Sequence, residues 1–477
     1  MVVGGIVMTE YRKERDSIGE IEVPYDALYG ANSLRARNNF NITSQSMDSE
    51  MINAIVEVKK ACAIENEKIG LLTNAQKEAI ISACNLLLGG SYRDNFIVDP
   101  IQGGAGTSLN MNANEVIANM ANQSLGGNLG IYDKVHPNDH VNKGQSTNDV
   151  IPTSGKIALI RYFKELYDEN IKLINAIEDK ADEFKEVYKM GRTQLQDAIP
   201  ISLGQEFAAY AKVLKRDNER FKKAIQSLSF VNLGGTAIGT GLNADKTYVK
   251  EIVPVLAEVT GLNLKQNEDL IDGTQNLDGF TYSSSILKTY ASNLSKIAND
   301  LRLMSSGPQV GIADIKLPAR QAGSSIMPGK VNPVIPEVVN QVAFGVIGND
   351  LTVTMAVEAG QLELNAFEPI IFYKLVESLK TLKAAIFTLR VNCIENITAN
   401  EKYLSDQVEK SIGLVTALAP HIGYEKASII AHKALETGES VRDLVLFEGL
   451  IDANELDEIL DFKKMIQPGI LDEDKLL

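Results

Sequence analysis

The chain has 477 residues, 44% of them hydrophobic, which is enough for a sizeable core and two or three domains. A formal net charge of −15 argues against a general nucleic-acid binder or a basic membrane-surface protein, so a positive field for an anionic ligand must be built locally. Three scattered cysteines, Cys62, Cys84 and Cys393, indicate neither a disulfide framework nor a zinc cluster.

Met1 to Met8 carry no basic region ahead of their short apolar run and make a poor secretory signal. With no apolar stretch of bilayer length, a soluble, cytoplasmic protein with no membrane and no nucleic-acid partner is expected. Residues 9 to about 50 are turn-rich, broken at Asp16-Ser17-Ile18-Gly19 and Val23-Pro24-Tyr25-Asp26. From Met51 to Leu88 apolar residues return every three or four positions, among them Ile55, Val58, Ala61 and Ile64, which predicts helix.

A glycine cluster then leads into Thr107-Ser108-Leu109-Asn110-Met111-Asn112-Ala113-Asn114, dense in hydroxyls and amides and short of charge. On its own this reads as a turn and a helix cap. In His136-Pro137-Asn138-Asp139-His140, the His-x₃-His spacing suggests a metal, but Pro137 opposes a continuous helix and no cysteine is near. Gln145-Ser146-Thr147-Asn148-Asp149 follows as a second polar cluster.

From Ser154 to Met190 there is one glycine and no proline, and the apolar spacing predicts a single helix of roughly 50 Å. Similar runs near 203–230, 277–303, 337–359 and 362–393 predict a bundle of long helices. Between the first two lies Gly191-Arg192-Thr193-Gln194-Leu195-Gln196-Asp197. The glycines at 234–241 give no dinucleotide fingerprint and are expected to connect helices. Shorter amphipathic segments fill 401–477.

Gly323-Ser324-Ser325-Ile326-Met327-Pro328-Gly329-Lys330-Val331-Asn332-Pro333 cannot be regular structure and is predicted to be a surface loop entering a helix N-terminus. That arrangement favours anions beside a hydroxyl. It is not a phosphate loop, since five residues separate Gly323 from Gly329 and Val331 follows Lys330. An ordinary glycine-proline turn is the alternative that composition alone supports.

This segment resembles the signature of the aspartase/fumarase superfamily, whose members form fumarate by β-elimination from succinyl compounds. The resemblance runs through Gly323, Ser324, Ser325, Met327, Pro328, Lys330 and Asn332 and extends over nearly the whole chain. It implies an all-α, mainly helical fold in three domains: a mixed, mostly helical domain over 1–145, a central long-helix bundle over 146–400 with the signature loop at 321–336, and a small helical domain over 401–477. It implies a homotetramer whose sites are shared between subunits, with no cofactor and no metal ligand in the chemistry.

The same resemblance implies roles for individual residues. Ser324 would be the base that takes a C3 proton, beside Lys330. Thr107, Ser146, Thr147 and Ser325 would hold one substrate carboxylate and Lys330 and Asn332 the other, with Asn110, Thr193 and Met327 in contact. Asn148 and Gln194 would orient the leaving group. Gln194 stands where fumarases usually have histidine; glutamine cannot hand a proton to a departing hydroxide, whereas an ammonium group already carries its own. The branch that eliminates ammonia from L-aspartate to give fumarate is therefore expected, with fumarate hydratase and a non-catalytic scaffold of the same fold as alternatives.

Overall fold

A computed structural model describes residues 10–323 and 325–470. As the periodicity predicts, the described chain is mainly helical, with β-structure confined to two-stranded pairs. It divides into two compact units: one takes the chain up to Tyr167 with 219–289 and 345–381, the other takes 168–218, 290–344 and the chain from Leu382 onward.

In the first unit β1 (Tyr11–Asp16) and β2 (Gly19–Pro24) form an antiparallel hairpin, followed by α1 (Ala31–Asn39). The helical stretch expected over 51–88 is two helices, α2 (Ser49–Lys68) and α3 (Asn74–Leu88). Asp48 starts α2 by accepting the N–H groups of Glu50 and Met51, and a reciprocal Thr73–Gln76 capping box restarts the chain as α3.

α4 (Thr107–Ser124) explains its many amides by the loops it pins. Buried Asn112 bonds the backbone of Asn95 and Ile97, Asn119 that of Leu28 and Gly130, and Asn122 that of Asn128 and Lys134. Glu115 accepts the N–H groups of Gly30, Asn32 and Ser33. Most of this polar density thus satisfies buried backbone, and only the N-terminal end of α4 remains for other work.

α5 (Thr147–Glu183) is about 55 Å long at 1.5 Å per residue and stops before Met190, the end expected from its sequence. The chain instead turns into β3 (Tyr188–Thr193), paired antiparallel with β4 (Gln196–Ser202). A register shift at Gly191 lets the strands twist, as a bulge at glycine does. α6 (Leu203–Leu228), α7 (Lys246–Thr260), α8 (Leu270–Gln275), α9 (Asp278–Met304), α10 (Val334–Glu358) and α11 (Glu368–Asn392) follow.

The five long helices read from the sequence are therefore α5, α6, α9, α10 and α11. The last begins later than Leu362, because Gln361 and Leu364 close a tight bridge and Asn365 accepts the N–H of Phe367. Short helices between Glu401 and Met465 enclose their own core of Leu418, Ile430, Leu444 and Leu456.

Candidate active site

Two of the polar regions meet in the first unit. The amide of Asn110, on the first turn of α4, donates to Thr147 Oγ1 at 3.2 Å, at the first residue of α5. Thr107 is exposed, its hydroxyl donating to the Gly104 carbonyl at 2.7 Å. Ser146 caps α5, its Oγ accepting the Asn148 N–H at 3.2 Å. The Asn148 side chain donates to the Ala237 carbonyl at 2.7 Å, which holds its amide plane and leaves its oxygen as the group to offer a ligand.

Beneath this cluster lies Lys59 of α2, a residue that sequence reasoning missed. It is fully buried, and its Nζ donates to Asn110 Oδ1 at 2.6 Å, Asn142 Oδ1 at 2.9 Å and Gln145 Oε1 at 2.9 Å. Three carbonyl acceptors match the three donors of an ammonium group. Burial pushes Lys59 down to about 7, against the opposing pull of Cys62 and Asp149. The available signal was its place on the buried face of α2, in phase with Ile55, Cys62 and Asn66.

Asp149 performs a second hidden task. Its carboxylate accepts the N–H groups of Ser146 at 2.9 Å, Gly234 at 3.1 Å and Thr236 at 3.0 Å, tying the start of α5 to the glycine-rich connection. Burial raises it to about 6, with those N–H bonds and Lys59 opposing the rise. The histidines nearby are spent on the fold: His136 Nδ1 accepts from the N–H groups of Asn138 and Asp139, and His140 Nδ1 from that of His136.

In the second unit Thr193 and Gln194 form the tip of the β3–β4 hairpin, both exposed. Gln194 and Leu195 have φ of +54° and +64°, a left-handed pair that a two-residue hairpin turn requires and that non-glycine residues adopt at a cost. Ser325, Met327, Lys330 and Asn332 lie exposed in the signature loop, as the surface-loop expectation has it. Ser324, the expected base, lies outside the described residues.

The loop is shaped by contacts of its own. Gly323 packs so closely on the Lys330 carbonyl that a Cβ has no room there, and Lys330 N–H donates to the Met327 carbonyl at 3.2 Å. Arg320 anchors the approach by donating to the carbonyls of Asn392 at 2.9 Å and Val391 at 3.1 Å. α10 begins at Val334, so its positive end follows the loop directly.

Residues 19–348 match the family described as Lyase, and residues 414–467 the one described as Fumarase C C-terminus. The chain belongs to the aspartase/fumarase lyase superfamily. Within the superfamily it is 50% identical over 467 residues to the aspartate ammonia-lyase of Bacillus subtilis (strain 168), covering 98% of each chain. Seven further curated proteins of that name stand at 48–51% identity.

Two solved structures of the superfamily share the fold. A fumarate lyase:delta crystallin from Brucella melitensis, bound to cobalt, superposes with a TM-score of 0.94 at 47% identity, over 96% of this chain and 100% of that one. A class II fumarase from Schistosoma mansoni gives 0.92 at 33% identity, again over 96% and 100%. The superfamily fold is thus common to both chemistries, and side chains rather than backbone must separate them.

Proposed function

We propose that this superfamily member is an aspartate ammonia-lyase that converts L-aspartate reversibly to fumarate and ammonia, with Ser324 as the base. The observation that carries the reading is 48–51% identity to eight curated aspartate ammonia-lyases, against 33% to the fumarase. Gln194 supports it, since its amide can hold an ammonium group but cannot protonate a departing hydroxide.

In the proposed step Ser324 Oγ removes a proton from C3 of aspartate. The C3–H electron pair becomes the C2–C3 double bond as the C2–N bond breaks and ammonia leaves. Thr107, Ser146, Thr147 and Ser325 stabilise the β-carboxylate as it gains charge, in the manner of an oxyanion hole. Lys330 and Asn332 take the α-carboxylate, Thr193, Asn110 and Met327 complete the contact surface, and Asn148 and Gln194 orient the amine. Neutral serine is a weak base, and the cationic Lys330 with the start of α10 lowers the cost of its alkoxide.

A cytoplasmic homotetramer, with sites shared between subunits, completes the proposal. On α10, Phe344, Leu351 and Met355 are 63, 62 and 63% exposed along one helical stripe, which an oligomer would cover. Among the described residues no helix is long and apolar enough to cross a membrane. The reverse reaction tests the function: fumarate with ammonium should yield L-aspartate, followed by proton NMR, and formation of L-malate alone would contradict it.

A further inference from the structure

The second unit contains a buried ionic cluster that none of the roles above uses. Asp314 is fully buried, and its carboxylate accepts Arg192 Nη1 at 2.7 Å and Nη2 at 3.3 Å. Lys189 Nζ lies 2.8 Å from the same carboxylate, is itself buried, and also reaches Glu206 at 2.9 Å. Both cations belong to β3, and Arg192 immediately precedes Thr193. A single carboxylate therefore holds the strand that ends at the hairpin tip.

Two features set this cluster apart from a generic stabilising pair. The tip it supports carries consecutive left-handed residues, Gln194 and Leu195, a conformation that persists only where surrounding structure determines it. The Asp314 side is built with the same insistence: Ala313 has φ +51°, its N–H donates to the Ser306 carbonyl at 2.9 Å, and the Asn400 side chain bonds its carbonyl. Asn400 N–H donates to the Asp314 carbonyl at 3.0 Å. Left-handed backbone thus lies beside both sides of the clasp, at Ala313 and at Gln194 and Leu195, and in the sequence Asp314 is followed ten residues on by the signature serine.

We propose that Asp314 is a positioning residue for the elimination: through Arg192 and Lys189 it fixes where the hairpin presents Thr193 and Gln194 to the amino-acid substrate. This rests on the reading that the hairpin tip meets substrate. Arg192 acts as a fork, since its two nitrogens on one carboxylate fix orientation as well as distance, which a lysine at that position cannot do. Displacing the tip by about 1 Å would lower kcat/KM on the order of 10²-fold.

The test is a double-mutant cycle on the full-length protein, read as kcat and KM for L-aspartate. Thr193→Ala, Asp314→Asn and Arg192→Lys are made singly, and the latter two are each combined with Thr193→Ala. Asp314→Asn and Arg192→Lys should act mainly on KM, and each should cost less in the Thr193→Ala background than in wild type, the remainder passing through Gln194. Asp314→Glu should restore part of the loss. If Thr193→Ala leaves the kinetics unchanged, the reading of the tip falls. If Thr193→Ala is impaired while the clasp variants match wild type, or multiply with it in full, Asp314 is only structural. Should Asp314→Asn not fold, the Arg192→Lys arm of the cycle decides alone.

Discussion

Lys59 Nζ stands 2.6 Å from Asn110 Oδ1, and this contact settles which way the amide faces: oxygen toward the lysine, nitrogen toward Thr147. The ammonium orders three amides at once, so its removal strands three buried or half-buried carbonyls, each costing about 1–3 kcal/mol. Its charge also ties stability to pH. The unfolded chain holds this proton up to the ordinary 10.5, while the folded chain releases it near 7.

Between those values the unfolded state binds more protons, so this group makes stability rise with pH and the contribution is lost again as pH falls through 7. The rise is at most about 1.4 kcal/mol per pH unit. In Lys59→Met that increment should vanish. Urea midpoints at pH 7 and pH 9 check it: wild type should gain relative to the variant at the higher pH, and a constant gap would contradict the burial argument.

Ser324→Ala should retain L-aspartate binding and lose turnover by about 10³-fold, the scale of a missing general base. Isothermal titration against the substrate and a fumarate absorbance assay separate the two quantities. Turnover within a few-fold of wild type would remove Ser324 from the role of base.

Lys330→Ala should act first on affinity. A charge-assisted bond to a carboxylate contributes about 1.5–3 kcal/mol, so KM for L-aspartate should rise by at least about tenfold. Because Lys330 also lowers the cost of the Ser324 alkoxide, kcat should fall as well, and an unchanged KM would remove Lys330 from the α-carboxylate.

Leu351→Asp places a carboxylate in the exposed apolar stripe of α10. Sedimentation velocity should show a wild-type tetramer and a smaller species for the variant, with activity falling in parallel. An active wild-type monomer would exclude a site shared between subunits.

The long helices were legible because 3.6-residue periodicity survives without knowledge of neighbours, and the signature loop because glycine and proline exclude regular structure. The β3–β4 hairpin was not: its turn uses Gln194 and Leu195 in left-handed conformations, and neither residue announces such a turn as Asn-Gly would. α5 was read about two turns too far along the chain: Lys185 to Met190 continue its composition after the backbone has left the helix, and Pro152, which sits in its first turns, hid the start at Thr147.

Within the candidate site, the assigned Asn110, Ser146, Thr147 and Asn148 were carried by motif, whereas Lys59 and Asp149 needed coordinates. Apart from the Ser146 N–H beside Asp149, the partners of these two charged residues lie 51 to 87 positions away, so no local pattern reveals that they are buried. The other asparagines of α4 show what such amide density is for: Asn112, Asn119 and Asn122 satisfy loop backbone.

The most direct measurement offers the purified protein L-aspartate and L-malate in separate cuvettes and follows the ultraviolet absorbance of fumarate. Absorbance should rise with L-aspartate, with ammonia released one for one, and stay flat with L-malate. A rise with L-malate and none with L-aspartate would contradict ammonia elimination and the meaning attached to Gln194.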